Sequence, residues 1–150
     1  MLKKFGVSVL MLFCFLNVNH AEAQTPQVCD QKSCVEVEVV SKPADLEKGL
    51  MYRTGMGTDQ GMLFVFNADE RHAFWMKNMH FNLDMLWLDH DGRVIYIGRN
   101  IPACTNDPCP VYTPEKDSRY VLELNSGYID SHQWKPGDKL DLKGILNPGK

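Results

Sequence analysis

Six side chains in this sequence have the chemistry to hold a small molecule: Arg53, Trp75, Lys77, Asn78, Asp84 and Glu123. Arg53 and Lys77 suit an anionic or polyhydroxylated ligand. Asn78, Asp84 and Glu123 supply fixed donors and acceptors, and Trp75 or Phe74 offers a ring for stacking. The densest stretch runs from Gly61 to Asp89 and threads charge through apolar bursts. Arg71 precedes Phe74-Trp75-Met76, Lys77 follows it, and Asp84 sits inside Leu83-Asp84-Met85-Leu86. Ionisable groups beside apolar runs are costly unless paired, exposed or used. The competing reading makes them internal ion pairs, Arg53–Asp84 or Lys77–Glu123, that fix strand ends and bind nothing.

Two sharper chemistries compete with simple binding. Asp84 and Glu123 are candidates for the paired carboxylates of a glycoside hydrolase, but no G-x-S-x-G, H-E-x-x-H or P-loop motif accompanies them, so no reaction is assigned. Met76, Met79 and His80 have the soft and imidazole donors that suit Cu(I). Methionine is also a general core filler, and the regular arrays of a copper binder are missing. No metal or cofactor is therefore expected.

The N-terminus points to export. Lys3 and Lys4 precede an apolar segment from Phe5 to Leu16, about the length of a signal h-region, and Ala21-Glu22-Ala23 reads as a cleavage site. Residues 1–23 are thus expected to be a signal peptide, with the mature chain periplasmic or secreted. Cleavage removes Cys14 and leaves Cys29, Cys34, Cys104 and Cys109, an even set in an oxidising compartment. The repeated C-x4-C spacing favours Cys29–Cys34 and Cys104–Cys109, with cross-pairing as the alternative. Cleavage also moves the net charge from −3 to −4, through loss of Lys3, Lys4 and Glu22. Without a basic stripe, neither nucleic acid nor a membrane surface is expected as a partner of the mature chain.

The elements that must position these residues are short. Residues 24–34 read as a polar lead carrying one cysteine pair, and 35–146 as a single β-rich domain. Val35 to Val39 alternates with Glu36 and Glu38 as a half-buried strand. Ser41 to Tyr52 reads as a helix with Gly49 inside it, a mark of close packing or an early end. Strands are predicted at Met62–Phe66, Ala73–Met76, Met85–Asp89, Val94–Ile97, Tyr120–Leu124 and Lys139–Leu142. Asn67–Arg71 reads as a polar turn, Ile101–Ser118 as a long loop tied down by its cysteines, and Gly127–Trp134 as a helical turn. The expected fold is mainly β with short helices (α+β), a β-sandwich or partly closed β-barrel.

Several stretches also resemble a known family, domain of unknown function 192. They are Glu47 to Arg53, Gly61-Met62-Leu63-Phe64, Phe74 to Asn78, Leu83 to Leu86, Arg119 to Leu124 and Lys135-Pro136-Gly137-Asp138. The resemblance spans Val35 to Leu142 and departs at Met79, where the family more often has a small polar residue. It implies a β-sandwich or barrel-like fold, often behind a signal sequence, and no agreed activity. The leading expectation is an exported small-ligand binding module, for envelope carbohydrate or another polyhydroxylated or anionic ligand. A structural envelope protein comes second and a hydrolase third.

Overall fold

Alternation sets the first long strand. In β2 (Cys34–Val40) Val35 and Val37 are buried, while Glu36 and Glu38 face solvent. The alternation breaks at Val39, which is exposed, and Val40 turns inward instead. The computed structural model describes residues 25–145; the expected signal segment and its cleavage point lie outside them. Upstream, the expected polar lead is itself a strand, β1 (Gln27–Cys29), paired antiparallel with β2. Cys29 and Cys34 face each other across this hairpin with their sulfurs 2.11 Å apart. The C-x4-C spacing closes the turn that makes the pairing possible. Asp30 in that turn accepts hydrogen bonds from Lys32 N, from Ser33 N and Oγ, and from Trp134 Nε1. Burial opposes its ionisation, but these bonds outweigh burial and lower its pKa to about 2.

Helix α1 (Pro43–Lys48) is shorter than its sequence pattern, because Gly49 ends it at φ +47°, ψ −131°. A Cβ at Gly49 would meet Phe64 Cζ at 3.0 Å, so close packing and early termination are both present. Gly49→Ala is therefore expected to lower stability by roughly 1–3 kcal/mol, from strained backbone plus a displaced ring. Urea denaturation of the variant checks this, and an unchanged midpoint would show that the ring moves freely.

The remaining strands are β3 (Gln60–Glu70), β4 (Phe74–Trp75), β5 (Leu83–Leu88), β6 (Val94–Ile101), β7 (Val111–Tyr112), β8 (Ser118–Asn125) and β9 (Asp141–Lys143), with α2 (Tyr128–His132) between the last two. Strand β3 runs through the expected turn at Asn67–Arg71. Its register shifts after Val65 and resumes with Glu70 opposite Ser118, so the polar residues ride an irregular strand end rather than a turn. Seven strands form one curled sheet in the order β6-β5-β8-β3-β2-β1-β9; only β2 and β3 run parallel. The two edges meet at one end, where Arg93 bridges Lys139 and Leu140 N donates to Gly92 O (2.9 Å). The result is a half-barrel within the expected mainly-β class.

Burial on both faces explains the long apolar runs. One core draws on all seven strands and on α2, with Val28, Val35, Leu63, Leu86, Val94, Leu122 and Leu142 in it. The opposite face carries a second core that includes Met62, Phe64, Met76, Met85, Trp87 and Val121. Strands β4 and β7 make a small second sheet beside that face. The long loop after β6 is tied to it. Cys104 bridges Lys77, and the Cys104 and Cys109 sulfurs lie 2.11 Å apart. Among the described residues no helix is long and apolar enough to cross a membrane.

Candidate functional site

Glu123 is the most unusual side chain in the molecule. It sits on β8, between Met62 of β3 and Met85 of β5, with the parity of Val121 and therefore within the second core. Only 5 % of its surface is exposed, and its Oε2 has no hydrogen-bond partner. Burial pushes the carboxyl up to about 8, against the opposing charge of Arg53, so it is mostly protonated at neutral pH. A buried polar atom without a partner is rare and calls for an explanation.

That carboxyl lines a cavity of about 220 Å³. The volume lies below the roughly 300–1,000 Å³ of drug-sized sites, so a guest would be small. Leu46 and Leu50 form one wall, from α1 and the turn after it, and exposed Glu47 marks the rim. Phe64 and Phe66 of β3 form a second wall, and Phe74 and Trp75 of β4 a third. The rings brace one another: Phe74 meets Phe64 edge-on at 4.9 Å, and His72 stacks on Phe66 at 3.6 Å. Trp87 donates its indole N–H to the His72 carbonyl (2.8 Å), which anchors the turn before β4. Trp75 stays 46 % exposed.

Of the six residues singled out by chemistry, Trp75 and Glu123 share this cavity. Lys77 and Asn78 line a separate, smaller recess beside Cys104 and Cys109. There Lys77 pairs with Asp107 at 3.3 Å, and its Nζ lies 5.5 Å from the centroid of the Trp75 ring. Asn78 adopts φ +59° and donates to Tyr52 Oη at 2.8 Å; Tyr52, at φ +66°, donates its own N–H to the Asn78 carbonyl. Arg53 lines a third recess and pairs with Glu38 at 2.8 Å, which lowers the Glu38 pKa through the hydrogen bond. Both ion pairs are exposed, and such pairs contribute about 0–1 kcal/mol. They also differ from the expected ones, Arg53–Asp84 and Lys77–Glu123.

Asp84 lies on the other face of the sheet. It has the parity of Leu86 and sits opposite Leu124, both in the first core. Its two oxygens accept from Asn100 N (2.8 Å) and Ile129 N (2.9 Å). Asp84 and Glu123 therefore do not flank one cleft as a carboxylate pair. Met76 and Met79 are buried in the second core while His80 is exposed. Cavity residues that the sequence alone does not single out include Leu46, Leu50, Phe64, Phe66 and His72. Gly49, placed inside a helical pattern, was the available signal, because it lets Phe64 approach α1.

The described residues thus form a curled β half-barrel with an aromatic cavity on one face of the sheet, walled by one short helix and by β4. The chain belongs to the family known as domain of unknown function 192, described as an uncharacterised ACR, whose pattern matches residues 26–142. Two solved structures are similar to it. One, from Sinorhizobium meliloti 1021 and provisionally described as a transcription regulator, is 33 % identical with a TM-score of 0.71, over 81 % of this chain and 94 % of the other. The second, a protein of unknown function from Novosphingobium aromaticivorans DSM 12444, is 30 % identical with a TM-score of 0.69, over 78 % of this chain and 83 % of the other. No curated protein matches the chain.

Proposed function

We propose that this protein is an exported binding module for a small organic molecule, which enters the cavity beneath Trp75 and places a polar end on Glu123. The observation that carries this reading is the unpartnered Glu123 oxygen at an aromatic-lined cavity. A core carboxyl without a partner destabilises the fold, and a guest that supplies the missing hydrogen bond offsets that cost. Export is supported by the leader-like N-terminus and by two cysteine pairs at bonding distance. The anionic class of ligand loses support, since the charged side chains lining the cavity are Glu47 and Glu123, with no lysine or arginine. A nucleic-acid role, which the description of the Sinorhizobium protein as a transcription regulator suggests for that protein, is not supported here by a chain with 19 acidic and 16 basic side chains.

A structural role in the envelope is the second reading. It is favoured by the cross-strand pair Trp75 and Val111, which are 46 % and 60 % exposed. A thermal-shift panel of sugars, polyols, organic acids and amines separates the two. A ligand at 100 times its Kd adds about 2.7 kcal/mol to native stability, a rise of several degrees in Tm. We expect at least one class to produce such a rise, and Trp75→Ala to weaken it. A blank across all classes favours the structural role.

A further inference from the structure

We propose that the guest is a small organic amine in its ammonium form, with one N–H donated to Glu123 Oε2 and its charge against the rings of Phe64, Phe66, Phe74 and Trp75. This rests on the binding reading above and adds the ligand class to it.

Three observations converge on an ammonium. The first is the unpartnered oxygen: Oε2 is buried without a hydrogen-bond partner, and an ammonium N–H supplies a donor to its carboxylate form. The second is the wall. Aromatic rings attract cations through the ring quadrupole, more strongly where water is excluded; β3 and β4 contribute four rings to this cavity, with His72 covering one face of Phe66 and Lys77 lying over Trp75. The third is charge. Glu123 and Glu47 are both acids, and the nearby cations each have a carboxylate partner outside the cavity, although Arg53 still acts on Glu123 through space. Arg53 binds Glu38, and Lys77 lies near Asp107 beside the Trp75 ring. His72 turns its Nε2 to the Ala68 carbonyl at 3.2 Å and stacks its ring on Phe66. A sugar would need several fixed polar partners, but Glu123 is the one buried polar side chain lining the cavity.

The proton balance follows. Below about pH 8 the free protein carries the Glu123 carboxyl protonated. Binding then forms a carboxylate–ammonium contact and releases that proton to solvent. Affinity must rise with pH up to about 8 and level off above it. The titratable or charged groups facing Glu123 are Glu47 from α1, Arg53 from the turn after it and His72 from the turn before β4.

The test is calorimetric titration of the mature chain with n-butylamine and with n-butanol, at pH 6.5, 7.5 and 8.5. The amine stays an ammonium past about pH 9. We expect the ammonium to bind at least ten-fold tighter than the alcohol at pH 8.5. We also expect it to weaken about ten-fold between pH 7.5 and 6.5 and to release close to one proton at pH 7. Glu123→Gln should remove the ammonium preference and the pH slope while keeping butanol binding and a cooperative melt. Equal binding of the two probes, or an unchanged preference in Glu123→Gln, overturns the amine assignment and leaves a binding module. A pH slope that vanishes in His72→Asn and persists in Glu123→Gln also overturns it. Binding of another class while both probes are blank does the same, and a blank across probes and panel removes the binding reading as well.

Discussion

Native stability is expected to fall as pH rises from about 4.5 to about 8, and Glu123→Gln is expected to remove most of that fall. The carboxyl titrates near 4.5 when unfolded and near 8 when folded. Between those values the folded chain holds a proton that the unfolded chain has lost. The folded state is therefore favoured at the acid end, and this contribution disappears as pH climbs through the folded value. A rise of that size corresponds to roughly 5 kcal/mol, a large part of the 5–15 kcal/mol typical of a domain. Asp30 works in the opposite direction and in a lower window. Its lowered pKa contributes stability above its ordinary 3.8, which is lost as pH drops toward about 2. The two effects separate on the pH axis. Urea denaturation of the wild type and Glu123→Gln at pH 5, 7 and 9 measures the difference, with other titrating groups cancelling between the two proteins. Parallel curves would mean that water or a mobile backbone solvates the carboxylate, and that Glu123 is not held dry.

The same residue shows what could be read in advance and what could not. A glutamate inside Tyr120 to Leu124 was visible as an anomaly, and parity put it opposite the leucines. The face opposite those leucines would be wet in an ordinary half-exposed sheet. Here it is covered by α1 and by β4–β7, a fact of strand order that no local pattern encodes. The same gap misplaced Asp84. Its parity with Leu86 and Leu88 is plain, but the direction of that parity depends on β5 lying beside β8. Arg53, Lys77 and Asn78 were grouped with Glu123 by chemical type, and the fold distributes them over separate recesses. What rested on short-range physics fared better. The strand predicted at Val35–Val39 forms and alternates as far as Glu38, the strands predicted at Met85–Asp89 and Val94–Ile97 pair, and each C-x4-C pairs locally. The lead before Cys34 was missed because three residues carry too little periodicity to announce a strand. It becomes one when the Cys29–Cys34 link and the β9 edge hold it in register.

Asp84→Ala should lower stability by roughly 3–5 kcal/mol without touching the Glu123 cavity. Asp84 is 1 % exposed, and each of its oxygens receives one backbone N–H. Hydrogen bonds to a charged acceptor contribute about 1.5–3 kcal/mol each, and their loss strands the donors. The donors are unlike. Asn100 N is partly buried, so water can replace the carboxylate there. Ile129 N is buried in the first turn of α2, whose N-cap is Gly127 and has no side chain to offer. Asp84 thus caps this helix from a neighbouring strand, and its negative charge suits a helix N-terminus. Asp84→Asn keeps one acceptor oxygen and should cost less than alanine, although its amide nitrogen, a donor, must then face one of the two N–H groups. Hydrogen exchange provides the local readout: protection at Ile129 should drop more than protection at Asn100 in both variants. Because Asp84 and Glu123 occupy opposite faces of one sheet, a folded Asp84→Asn protein should keep the ligand response of the wild type. Loss of that response with the fold intact would place Asp84 in the binding site and overturn the division of the two carboxyls between scaffold and cavity.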